Sequence, residues 1–97
     1  MDMRNDRIDA WDRAHFFHPS THLGQHARGE SPNRIVEGGE GATIVDRDGN
    51  RLLDGFAGLY CVNVGYGRRE IADAIHAQAL DIAYYHAYAG HSTEPTI

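Results

Sequence analysis

Apolar and polar residues change their spacing several times along the chain, and each change marks an element. Ile8, Trp11, Ala14 and Phe17 recur every third residue over 6–17, on one face of a short amphipathic helix that Asp6 can cap. His18-Pro19 ends it, because a residue before proline avoids helical angles. Residues 19–34 are polar and hold Gly24, Gly29 and Pro32, which predicts a surface loop able to pack on something outside the chain. From Arg34 the pattern becomes that of β structure. Residues 34–37, 42–46 and 51–54 predict three short strands, and Asp48-Gly49 between β-branched runs is a hairpin signal. A three-stranded antiparallel meander follows. Beyond Gly67, Ile71, Ile75, Ala79 and Ile82 recur at four, four and three, predicting a helix from 68 to about 85 with one buried face. Gly90 suits the exit of that helix, and Thr93 and Pro95 mark a further helix start. The predicted class is α+β: a short helix, a meander and one long helix.

Residues 52–68 obey neither period. Gly55, Gly58, Gly65 and Gly67 interrupt the run Phe56, Leu59, Tyr60, Val62, Val64 and Tyr66. Apolar side chains on a glycine-broken segment fit two structures. One is a buried crossover with glycines at its bends. The other is one wall of a small-molecule pocket, aromatic with a few polar groups.

Composition removes several function classes. A net charge of −5 argues against non-specific nucleic-acid binding, which needs clustered cations. No apolar run has membrane-spanning length, and the first residues lack the apolar stretch of a signal peptide. The single Cys61 has no partner for an internal disulfide, which fits a reducing, cytoplasmic setting. All nine basic residues are Arg. With no Lys, no side chain here supplies the amine for a Schiff base.

Three motif readings fail on spacing. His15, His18, His22 and His26 would form a stripe on a continuous helix, but Pro19 and Gly24 break it, so loose loop histidines are expected and no metal site. Residues 46–50, Asp-Arg-Asp-Gly-Asn, resemble a calcium loop, yet the glycine comes early and Ala57 stands where the bidentate Glu belongs. Gly39-Glu-Gly41 lacks the third glycine of a dinucleotide fingerprint. The turn 65–67 before the long helix reads as a plain helix start, with anion binding as the rarer alternative.

The run Asp54-Gly-Phe-Ala-Gly-Leu-Tyr-Cys-Val-Asn-Val-Gly-Tyr-Gly-Arg68 closely resembles the N-terminal signature of class III pyridoxal-phosphate aminotransferases, nearest the ω-amino acid or amine:pyruvate branch. His18-Pro19, residues 37–41, residues 46–50, residues 70–73 and residues 93–95 follow in the expected order, so the resemblance runs from about Trp11 to Ile97. It implies the fold type I architecture, a homodimer with interfacial active sites, and pyridoxal 5'-phosphate as cofactor. Residues 1–33 would form an N-terminal arm. Residues 34–97 would begin the small domain, stopping before the large cofactor-binding domain that carries the catalytic lysine. The resemblance puts Leu59, Tyr60 and Ser20 on the substrate-pocket lining and Tyr88 at its closure, with no catalytic residue in this chain. Tyr60 stands where the branch commonly has Trp, and Ser20 where an aromatic is frequent; both changes enlarge or polarise the pocket. The implied reaction moves an amino group from an amine or ω-amino acid to a keto acid such as pyruvate, and the 97 residues alone would be inactive. Two rival readings are a small His-rich metal-binding module and a non-catalytic truncated interaction domain.

Overall fold

The computed structural model describes residues 3–97. Helix α1 (Met3–His15) begins earlier than its apolar spacing indicates. Asp6 therefore lies inside its first turn, where a carboxylate suits the helix dipole, and is not the cap. Phe17 falls outside the helix, and Trp11 and Phe17 are both exposed, so the expected face is only partly covered.

The polar segment 19–34 is not simply a surface loop. It contains α2 (Leu23–Ala27), whose first turn is capped by His22: Nδ1 accepts from the Gln25 N–H at 3.2 Å. The segment also packs within the chain. The Arg13 guanidinium of α1 donates to the carbonyls of His26 at 2.7 Å and Ser31 at 3.3 Å. One long cation thus ties α1 to the end of α2 and to the segment that follows it.

Strands β1 (Val36–Glu40), β2 (Thr43–Asp46) and β3 (Arg51–Leu53) form the expected antiparallel meander in the order β1-β2-β3. β1 starts later than expected and runs through Gly38-Gly39, with a bulge between Val36 and Gly38. Glycine is a poor strand former, but here the missing side chain is used. A Cβ on Gly39 would lie 2.7 Å from Cγ of Tyr66, whose ring covers this point of the strand.

The β2–β3 connection is the predicted turn. The buried Asp46 carboxylate accepts from the Asp48 N–H (3.0 Å), the Asn50 N–H (2.9 Å) and Asn50 Nδ2 (3.0 Å). Gly49 donates to the Asp46 carbonyl at 3.0 Å with φ +84°. The acid that suggested a calcium loop is occupied in closing its own turn.

After β3 comes a single turn, α3 (Ala57–Tyr60), and then α4 (Arg69–Ile82). α4 ends about three residues short of its expected limit, with Ala83 and not Gly90 at its C-cap. Gly90 instead takes φ +78° in a separate 3-10 turn, Tyr88–Gly90. Thr93 takes the N-cap position of a last 3-10 turn, Glu94–Thr96, but its side chain makes no capping hydrogen bond; Pro95 lies in the turn as expected. The predicted apolar face of α4 is not buried in this chain: Ile71, Ile75 and Ile82 are exposed, and α4 packs against no other described element. Apolar periodicity says which side of a helix is to be covered, not what covers it. Among the described residues no apolar side chain is buried; the buried ones are His26 and Asp46.

Candidate functional site

The irregular stretch after β3 holds an uncommon backbone. Ala57 (φ +50°), Gly58 (+57°), Leu59 (+67°) and Tyr60 (+69°) are four consecutive residues in the left-handed region. Only glycine visits that region without penalty, and each other residue costs roughly 1–2 kcal/mol. Three such residues among four positions persist only where the surroundings fix them. The Leu59 and Tyr60 N–H groups donate to the Phe56 carbonyl at 3.0 and 3.3 Å, and the Cys61 and Val62 N–H groups to the Ala57 carbonyl at 2.9 Å each.

The fixing group is Asp54. Its Oδ1 accepts from the Phe56 N–H at 3.0 Å, and its Oδ2 from the Gly58 N–H at 3.0 Å and from the Tyr66 hydroxyl. The Tyr66 hydroxyl, followed by the Phe56 N–H, holds the Asp54 carboxyl below the usual carboxylate range. The same hydrogen bond raises Tyr66, so Asp54 is the charged partner and Tyr66 the donor. Tyr66 is itself tied to the sheet. Its N–H donates to the Gly41 carbonyl at 2.8 Å and its carbonyl accepts from Gly41 at 3.0 Å. Gly58 makes room for this arrangement, because a Cβ there would stand 3.0 Å from the Tyr66 hydroxyl.

The turn presents its side chains outward. Leu59 is 52% exposed and Tyr60 76%, with the Phe56 and Tyr60 ring centroids 6.0 Å apart. A buried crossover is therefore not what residues 56–60 form within this chain. A small cavity of about 180 Å³ lies between Gly41, Asp54, Val62 and Tyr66, and neither Leu59 nor Tyr60 lines it.

The other two expected pocket residues, Tyr88 at its closure and Ser20 on its lining, lie elsewhere. Tyr88 is 81% exposed on its 3-10 turn, where its N–H donates to His86 Nδ1 at 3.2 Å and its carbonyl meets His91 Nδ1 at 2.8 Å. Ser20 is exposed with φ +52° in the bend before α2. The structure brings Leu59 and Tyr60 together; no packing between described elements links α3 to the Tyr88 turn. A left-handed backbone is nonetheless shared by Leu59, Tyr60, Ser20 and the neighbour of Tyr88, Ala89 (φ +55°).

Two of the four N-terminal histidines meet after all. Nε2 of His18 lies 2.8 Å from Asp12 Oδ1, and Nε2 of the buried His26 lies 3.3 Å from Oδ2. These three donor atoms sit within 4.8 Å of one another. His18 Nε2 has the Asp12 carboxylate as its hydrogen-bond partner, His26 Nε2 pairs with the Asp12 backbone carbonyl at 3.4 Å, and Asn33 Nδ2 donates to Asp12 Oδ2 at 3.1 Å. Burial alone would raise Asp12; the hydrogen bonds from Asn33 and His18, with the His18 and His26 charges, outweigh it and lower the carboxyl. The cluster clips α2 to α1, while His22 is spent as a cap and His15 stays on α1.

Sequence reasoning named the turn residues but missed Asp54 and Tyr66, which hold them. One signal was available: Asp54-Gly55 is an aspartate able to accept from its own backbone two residues on. The Tyr66 contact spans twelve residues and carries no local signature.

No family model matches the chain. Over all 97 residues it is 57% identical to the diaminobutyrate–2-oxoglutarate transaminase of Halomonas elongata, of which it covers 20%. It is 38% identical over 88 residues to the putrescine–pyruvate aminotransferase of Pseudomonas aeruginosa, a match covering 91% of the chain and 19% of that protein. The crystal structure of a thermostable (S)-enantioselective ω-transaminase from Thermomicrobium roseum superposes on 95% of the chain and 20% of its own, with a TM-score of 0.84 and 42% identity. The chain thus spans about one fifth of the length of the curated relatives it matches. Matched along its whole sequence and nearly all of its backbone, the chain is similar to aminotransferases, a family whose cofactor is pyridoxal phosphate, and its fold matches the N-terminal part of their fold type I architecture.

Proposed function

We propose that these 97 residues are the substrate-facing N-terminal part of an aminotransferase that moves an amino group from an amine or ω-amino acid to a keto acid such as pyruvate. The observation that carries the reading is the turn 57–60. It spends backbone strain to hold an aliphatic and an aromatic side chain, Leu59 and Tyr60, outward and exposed. Strain of this kind clusters at ligand-binding sites. The similarity to a pyruvate-using relative supports pyruvate as acceptor; the similarity to a 2-oxoglutarate-using one favours that acid as the alternative.

In this reading residues 1–33 are an arm and residues 34–97 the start of the small domain. The large cofactor-binding domain lies outside these residues, and the assembled enzyme is a homodimer in the cytoplasm. No helix among the described residues is long and apolar enough to cross a membrane; the location rests on the single Cys61, exposed and free, which suits a reducing compartment. Bound pyridoxal phosphate would supply an electron sink. The residues here do not fit a role in tethering it, since the chain has no Lys, and no step through the cofactor is assigned to them. Leu59 and Tyr60 would contact the apolar part of the donor and exclude water, Ser20 would line the same pocket and Tyr88 would close it.

The test is an assay of the full-length protein carrying this segment, with pyridoxal phosphate, a panel of amines and either pyruvate or 2-oxoglutarate. Alanine or glutamate should form with at least one amine, and none should form with the 97 residues alone. Absence of both products across the panel would overturn the reading.

A further inference from the structure

We propose that Tyr66 and Asp54 are positioning residues that set donor size selectivity by fixing the direction of Tyr60. The inference rests on the reading that Leu59 and Tyr60 face the donor, and it goes beyond it by naming what holds them there.

A continuous set of contacts runs from the sheet to the turn. Tyr66 is held at three points: its backbone pairs with Gly41, its ring lies over Gly39 of β1, and its hydroxyl reaches Asp54. Asp54, just past β3, accepts from Phe56 and Gly58, the residues that bracket the start of the left-handed turn. Tyr60 has no such anchor. It is largely exposed, and its ring touches only Phe56 among described aromatic neighbours. Its direction is therefore set by the backbone beneath it, and that backbone is strained toward other conformations.

The two variants act at different points. Tyr66→Phe removes the hydroxyl and leaves both backbone hydrogen bonds to Asp54 in place. The turn should still form, but its tether to the sheet is cut, so the Tyr60 ring should sample more directions. Asp54→Asn keeps the shape and removes the charge that gathers three donors at one carboxylate. Both changes should weaken the contact with a small donor, which relies on a fixed wall, and admit a bulky donor more readily.

The experiment uses the full-length holoenzyme carrying this segment, with propan-2-amine as small donor, 1-phenylethylamine as bulky donor, and pyruvate. Tyr66→Phe and Asp54→Asn should each raise the ratio of kcat/KM for the bulky donor over the small one by about five-fold or more. In a Tyr60→Ala background the same substitutions should leave the ratio unchanged, because the side chain they direct is gone. A loss equal on both donors, or the same ratio change with Tyr60 removed, would overturn the inference and leave a plain structural role. A wild-type enzyme that transfers no amino group would overturn the aminotransferase reading itself, whereas an active one with unshifted variants overturns this inference alone.

Discussion

Tyr60 combines two demands at one position. Its ring is exposed on a strained turn, and its hydroxyl must find water or a polar partner once covered by a ligand. Tyr60→Trp in the full-length enzyme should fill volume and remove that polar demand. Bulky donors should then lose more kcat/KM than small ones, by about ten-fold, or about 1.4 kcal/mol of transition-state binding. Steady-state kinetics on one small and one bulky donor checks this; equal losses would assign Tyr60 to the fold. Ala57 is the simplest probe of strain. With φ +50°, Ala57→Gly removes a left-handed penalty of roughly 1–2 kcal/mol and gives back about 0.5–1 kcal/mol in chain entropy. The folded state should be unchanged or up to about 1.5 kcal/mol more stable by chemical denaturation. A loss beyond about 1 kcal/mol would mean that the turn stores no strain there.

Among the elements, the β2–β3 hairpin gives a pH prediction. Asn50's side-chain amide, opposed by burial and helped by the Asn50 and Asp48 N–H groups, holds Asp46 below its ordinary value. A depressed folded value means that stabilisation is present above the unfolded value near about 3.9 and is lost as pH falls through the folded value. The Asp48 and Asn50 amide resonances should therefore lose protection below about pH 4, and Asp46→Asn should flatten that dependence. An unchanged acid transition in the variant would place the titrating group elsewhere. The same scale shows what a linear sequence displays. The turn 46–50, the meander and the existence of α4 were legible because each follows from spacing within a few residues. β1 was displaced because Gly38-Gly39 reads as a break, and only the Tyr66 ring, 27 residues on, makes glycine the right residue there. α2 and the Asp12–His18–His26 clip were missed for a similar reason: helical periodicity tests one continuous helix, whereas this cluster joins two.

The whole molecule is open. Its radius of gyration is 18.3 Å, against about 12–13 Å for a compact chain of this length. Exposed apolar groups line α4 and the Tyr84, Tyr85 and Tyr88 region. Such faces are sites of association, so the isolated 97 residues should self-associate or bind a hydrophobic dye. A cooperative thermal transition from a monomeric sample, seen by sedimentation and circular dichroism, would count against this. A donor-facing role for Leu59 and Tyr60 requires that the turn 57–60 border the substrate in the complete enzyme. The measurement is a crystal structure of the full-length holoenzyme with a substrate-like amine bound. Side-chain atoms of Leu59 or Tyr60 should lie within about 4.5 Å of that ligand, with Asp54 still joined to Tyr66. A turn 57–60 separated from the bound amine by intervening protein would contradict the account.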